Sequence, residues 1–397
     1  MKSKLEQMSS RERVHATIRG LPVDRVPVFF WINAHAGCKL IAEYKHSKHL
    51  WWNLLARFLW SRFRKGGYQQ AKEIWRYFPL YFDVHSYNYA NAFSLELGSD
   101  ILLASFATPR NYSKYTLKNG HFIIRDMFGV RRGLGSGIYP DMVDPAIKNV
   151  TDIRNYRFPD PNDDRLYTIF RKYRKTYPDV SIAAEVWGVQ GFTATSLFGM
   201  EKFMTSLIDY PEEMKKFFKR CADFCIDVAW RSVKAGADMV FIEDDYGYNN
   251  RPLISMKMWK EFTYPQLKRQ VDTAHEAGAL VALHSCGYQM PFLEHYVEIG
   301  LDMLQALQPK AGNDFKEAYG KFGDKLTFIT GIDIQRGESM TPEALKKEII
   351  DNYRIAGRKG RHILGMTHEV QYTMPDENIR VIFDTVREIQ AGVYDNV

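Results

Sequence analysis

Residues 279–288 read ALVALHSCGY, an apolar, strand-like run that stops abruptly in a histidine, a serine, a cysteine and a glycine. Side chains alternate faces along a β-strand, so His284 and Cys286 point the same way. Two soft ligands side by side read either as half of a metal site or as a hydrogen-bonded core histidine beside a buried thiol. The surroundings of the run indicate the fold. It leads into MPFLEHYVEIG, and the same strand-then-helix layout recurs from about residue 180. VSIAAEVWG, ADMVFIEDDYG, LDMLQALQP, KLTFITGID and RHILGMTHE each precede a stretch of helical period, and RVPVFFWINAHAG near the start is a further strand with a polar end. Strands alternating with helices predict a parallel sheet. The seven polar or glycine-bearing strand ends fit an α/β fold of the (β/α)8 TIM-barrel type better than an open sheet. No glycine fingerprint follows the first strand to ask for a dinucleotide.

In a barrel, catalytic groups sit at the C-terminal ends of the strands. Those ends carry Asn33 and His35; Glu185 and Trp187; Glu243, Asp244 and Asp245; His284 and Cys286; Gln305 and Gln308; Asp333; and His368 and Glu369. The acidic triplet reads either as a helix cap or loop anchor, or as a functional group with Glu243 and Asp245 on one face, turned to the mouth. Trp31, Trp187, Tyr246 and Tyr248 read as walls of an apolar pocket or as packing aromatics. Residues from about 40 to 178 fit the rhythm poorly. They hold an aromatic-basic segment and a β-hairpin signal at Asn119-Gly120 in YTLKNGHFIIRDMFGVRRG. The whole chain, 1–397, is therefore read as one barrel domain with an N-terminal helical and β-hairpin insertion over about 40–178.

The 397 residues are 45% hydrophobic, enough to bury a large core. No apolar stretch is long enough to cross a membrane, and the polar N-terminus lacks a signal-peptide core. Four cysteines do not make a disulfide framework, and Cys221 and Cys225 read as core thiols of an amphipathic helix. A cytoplasmic location follows as the expectation. The net charge of +7 comes from 54 basic against 47 acidic residues, a mixed surface that does not ask for nucleic acid. Positive charge gathers in EYKHSKHLWWNLLARFLWSRFRKGGYQQAKEIWRYF. This segment reads as a core-facing helix with solvated basic ends, against a lid, a docking surface or a helix lying on a membrane.

Several blocks resemble the uroporphyrinogen decarboxylase superfamily in order. They are SSRERVHATIRGLPVDRVPVFF, FIEDDYGYNNRPLISMKMWKEFTYPQLKRQVDTAHEAGALVALHSCGY, GLDMLQALQPKAGNDFKEAYGKFGDKLTFITGIDIQ and MTHEVQYTMPDENI. The superfamily holds porphyrinogen decarboxylases and corrinoid-linked methyltransferases. The decarboxylases carry arginines after the first strand to hold substrate carboxylates, and here NAHAGCK puts Ala34 and Cys38 in those places. The methyltransferase branch is similar at HSCG, where a His-x-Cys pair and a later cysteine bind zinc. The place of that later cysteine falls on His368, a departure that still leaves a chemically sound His₂Cys set.

The resemblance implies a zinc-assisted methyltransferase working with cobalamin, a corrinoid carried by a partner protein, and a small methyl donor or acceptor. It implies zinc on His284, Cys286 and His368, with His368, Asp245 and Glu243 as catalytic candidates. Asn33, His35, Asp83, Trp187 and Tyr246 are the substrate-binding candidates. Asp83 falls where the family has a mechanistic carboxylate, with Asp100 in GSDILL competing for the role. A homodimer is left open. The alternatives are a decarboxylase-like lyase acting on a smaller acid, with Arg125, Arg131, Arg132 and Arg251 as clamp candidates, and a non-catalytic tetrapyrrole-binding module.

Overall fold

The computed structural model describes residues 7–75, 84–107, 114–118, 121–133, 141–357 and 360–395. In chain order the strands are β1 (Val28–Phe29), β2 (Ile101–Ser105), β3 (Lys114–Lys118), β4 (His121–Arg125), β5 (Arg131–Gly133), β6 (Asp141–Asp144), β7 (Ser181–Trp187), β8 (Met239–Glu243), β9 (Gly247–Tyr248), β10 (Arg251–Pro252), β11 (Leu280–Ser285), β12 (Met303–Ala306), β13 (Thr327–Ile332) and β14 (His362–Met366). Eight of them form one parallel sheet in the order β1-β14-β13-β12-β11-β8-β7-β2. With its helices this is the (β/α)8 barrel.

The pleat fills the interior. Phe29, Ile101, Leu103, Ala183, Met239, Phe241, Ala282, Met303, Ile329 and Ile363 point inward and pack as one cluster, joined by Val14 and Ile18 of helix α1 (Ser10–Ile18). That helix plugs the N-terminal end, since Arg11 N–H donates to the Asp179 carbonyl just before β7 and Arg361 N–H, just before β14, donates to Thr17. The seam between β1 and β2 is closed by side chains. Asp100 accepts from Val28 N–H at 2.9 Å, and Ser99 Oγ accepts from Phe30 N–H at 3.2 Å. Arg13 and Arg25 hold Asp100 at 2.6 and 2.8 Å. Asp100 is thus a seam clamp at the far end of the barrel from the mouth, which removes it as a catalytic carboxylate. Asp83 lies outside the described residues.

β2 falls inside the stretch read from sequence as decoration. ILLA is buried on both faces, so it shows no alternation to mark it as a strand. Helices α2 (Ala34–Lys39) and α3 (Leu50–Trp75) are additions after β1, whereas α4 (Val84–Glu96) packs on β2 as its barrel helix, and α5 (Thr168–Thr176) leads into β7. The other addition is the antiparallel sheet β3-β4-β5-β6. β3 and β4 pair Lys118 with His121 across the expected hairpin, whose Asn119-Gly120 turn lies outside the described residues. Cys221 and Cys225 are buried in helix Pro211–Lys234, as their spacing predicts. No described helix is long and apolar enough to cross a membrane.

Candidate metal centre at the barrel mouth

Carrying the inward alternation one step past the apolar layers puts Trp31, Ser105, Glu185, Glu243, His284 and Gln305 inside the C-terminal mouth. HSCG is read there residue by residue. His284 is 1% exposed and points inward. Ser285 points outward, and its Oγ accepts from Tyr246 N–H at 3.0 Å. Cys286 returns inward, its Sγ 3.3 Å from His284 Nε2. Gly287 has φ of +78°, and a Cβ there would stand 2.3 Å from the carbonyl carbon of Gly247. The loops after β8 and β11 therefore touch backbone to backbone, and Cys286 N–H donates to Asp245 Oδ1 at 2.8 Å.

His368, from the segment after β14, completes the cluster: one ligand atom each of His284, Cys286 and His368 lies within 4.8 Å of the others. Trp31 walls it, its ring 4.9 Å from that of His284 and stacked 5.3 Å from that of His368. Gln305 Nε2 donates to the Met366 carbonyl at 2.6 Å, which turns its Oε1 toward His284 Nδ1. Nδ1 must then carry the proton, and the Nε2 lone pair faces Cys286. Gln308 Nε2 donates to Cys286 Sγ at 3.3 Å, and its Oε1 accepts from Gly287 N–H at 2.9 Å. Between these two glutamines, Ala306 and Leu307 take φ of +121° and +48°, costly conformations that let both side chains reach the cluster.

The electrostatics suit a dication. Burial pushes the His368 imidazole down to about 4 and lowers that of His284, so both rings are neutral. Burial, then Asp245 and Glu243, drive the Cys286 thiol well upward. Glu243 is raised by burial and by Glu185, which also accepts from Ser105. Glu369 is pushed by burial up to about 8, and its Oε1 has no hydrogen-bond partner among the described residues. Zinc bonds of about 2.0 Å to nitrogen and about 2.3 Å to sulfur at a tetrahedral angle put two ligand atoms about 3.5 Å apart, close to the His284–Cys286 spacing. The donor set fits zinc.

Other candidates fall elsewhere. Tyr246 is not a pocket wall: the alternation past β8 turns Asp244 and Tyr246 outward, and Tyr246 packs against Trp259 and Phe292 at 5.6 and 5.9 Å. Asp244 anchors the loop after β7 by accepting from Gln190 N–H at 3.0 Å and from Gly191 N–H. A Cβ on Gly188 would collide with it. Asn33 caps α2 through Ala36 N–H at 2.8 Å and donates to Val370 at 3.1 Å, so its amide is engaged in the backbone. His35 is buried in α2 and held by burial at about 4. Trp187 lies at the end of β7 between Phe106 and Phe128, 5.3 and 4.6 Å away, where the antiparallel sheet meets the mouth.

Fold and mouth together define a (β/α)8-barrel protein with a His–Cys–His cluster at the C-terminal strand ends. The chain belongs to the uroporphyrinogen decarboxylase (URO-D) family, whose sequence profile matches residues 118–389. A uroporphyrinogen decarboxylase from Psychromonas ingrahamii is 22% identical over 285 residues, 67% of this chain and 78% of that protein. The methylcobamide:CoM methyltransferase MtbA from Methanosarcina mazei is 25% identical over 233 residues, 53% of this chain and 62% of that protein. A solved methyltransferase from Methanosarcina mazei superimposes with a TM-score of 0.65 at 16% identity, covering 96% of this chain and 99% of that one, and shares the fold.

Proposed function

We propose that this chain moves a methyl group between a small donor or acceptor and a corrinoid carried by a partner protein, with zinc held by His284, Cys286 and His368. The observation that carries the reading is the convergence of those three ligand atoms within 4.8 Å at the barrel mouth. Bound zinc would supply a Lewis acid and draw a thiol toward its thiolate. The chain's own part is positioning. Gln305 fixes the His284 tautomer, Gln308 and Asp245 hold Cys286 from two sides, and Trp31 shields both imidazoles from water. Glu243 and Glu185 crowd each other, which favours a shared proton on the inner wall. The relative named for methylcobamide chemistry supports the same reading.

Among the described residues a decarboxylase reading lacks its clamp. α2 offers Ala34 and Cys38 where arginines would stand, and Lys39 is turned to the Tyr372 and Met374 carbonyls and to Asp376. Arg131 and Arg132 pair with Asp144 and Asp126 in the antiparallel sheet, and Arg251 lies over Tyr248. The test is optical. Zinc-loaded protein mixed with methylcobalamin and a panel of thiols, and with cob(I)alamin and a panel of methyl donors, should interconvert the two corrinoid spectra. The conversion should vanish in Cys286→Ser. A loaded enzyme that changes neither spectrum across both panels turns the reading toward a lyase.

A further inference from the structure

α3 is apolar on two faces, and the barrel uses one. Ala56 and Leu59 sit in a core cluster with Leu55 and Trp60 packed at its edge, and Trp52 lies 4.7 Å from the Tyr89 ring. On the opposite face Leu50, Trp51, Leu54 and Phe58 are 72, 82, 53 and 47% exposed. At about 100° per residue these four cover an arc of about 100°, and Arg57 and Arg62 stand about 20° outside its two edges. Arg62 leans over the Phe58 ring at 5.6 Å. From residue 45 to 65 the sequence holds Lys45, Lys48, Arg57, Arg62, Arg64 and Lys65 and no acid.

We propose that this face of α3 docks the protein on an anionic lipid surface. A convex strip of leucines and aromatics with a cation along each edge matches an interfacial helix, whose apolar side enters the headgroup boundary while its arginines meet lipid phosphates. Charge complementarity selects an acidic plane, since nothing acidic in this segment would repel it. Beside the strip, a groove of about 460 Å³ opens between Trp51, Trp52, Tyr89 and Lys172, wide enough to accept part of a lipid.

The test is flotation of the full chain with vesicles of phosphatidylcholine alone and of phosphatidylcholine with about one third phosphatidylglycerol. Wild type should float with the anionic vesicles, release at high salt, and leave the neutral ones unbound. Leu54→Glu with Phe58→Glu should abolish flotation, and Arg57→Gln with Arg62→Gln should weaken it about 30-fold. All four side chains face solvent, and matched circular dichroism and melting confirm that the variants fold. The proposal is overturned if wild type ignores anionic vesicles, or if both double variants float as wild type does. It is equally overturned if the strip proves a self-interface, seen as a dimer that Leu54→Glu with Phe58→Glu converts to monomer while wild type leaves vesicles unbound.

Discussion

The carboxamide of Gln305, one strand over from His284, accepts from its Nδ1 and so decides which imidazole nitrogen faces Cys286. The relay runs on to the Met366 carbonyl at 2.6 Å, on the side from which His368 arrives. An outer partner of this kind orients a ligand and sets its tautomer. Gln305→Ala should therefore lower zinc affinity about 10- to 100-fold without unfolding the chain, read by competition with a chromophoric chelator. Unchanged affinity would mean that Gln305 only fills space.

Two glycines with positive φ separate strain from contact. At Gly278, φ is +89° and a Cβ would meet nothing within 4 Å, whereas at Gly287 it would strike Gly247 backbone at 2.3 Å. Gly278→Ala should cost about 1 kcal/mol and leave zinc binding intact. Gly287→Ala should cost at least about 2 kcal/mol and loosen Cys286 from Asp245, losing zinc as well. Denaturant midpoints and zinc content on the same samples decide it.

The β1–β2 seam depends on Arg13, which holds Asp24 and Asp100 at 2.6 Å each. Asp100 is fully buried, so removing the guanidinium leaves the half-buried Arg25 as its one cationic partner among the described residues, beside the Ser10 hydroxyl and Val28 N–H. Arg13→Ala should destabilise the barrel by about 3–5 kcal/mol in urea unfolding. A loss under about 1 kcal/mol would show that the remaining contacts close the seam without Arg13.

Stability should fall in mild acid for a reason outside the metal centre. His362 is 1% exposed, its Nε2 3.2 Å from the Thr330 carbonyl, and burial lowers its pKa from 6.5 to about 4. The folded state therefore binds fewer protons than the unfolded chain between those values. Its contribution is complete above about pH 6.5 and is lost as pH falls toward 4. Wild type should lose about 3 kcal/mol over that range relative to His362→Gln, measured as the pH dependence of the difference in unfolding free energy. Parallel curves would place the proton uptake elsewhere.

Much of this was legible in the sequence because barrel strands end in polar residues where their apolar layers stop. The reading fails where alternation carries no contrast or where a residue type carries no chemistry of its own. β2 is apolar on both faces and merged with the helix before it. Tyr246 reads from sequence as a pocket wall or as a packing aromatic, and the pleat decides for packing by sending it into the shell around Trp259. Gln305 and Gln308 were visible only as strand-end glutamines. Their roles arise from β12 lying beside β11 and from the positive φ of Ala306 and Leu307 between them. His284 and Cys286 are readable as a pair from their spacing, whereas His368 is reached only through the family resemblance, and the closed barrel brings it to them.

In the proposed function His284, Cys286 and His368 together hold one zinc ion. Metal content per chain, measured after zinc loading and gel filtration on wild type beside Cys286→Ser and His368→Ala, tests it most directly. Wild type should hold close to one zinc, with a near-complete loss in Cys286→Ser and a large loss in His368→Ala, all three proteins remaining folded. Wild type that takes up no zinc, or a Cys286→Ser protein that holds as much as wild type, would contradict it.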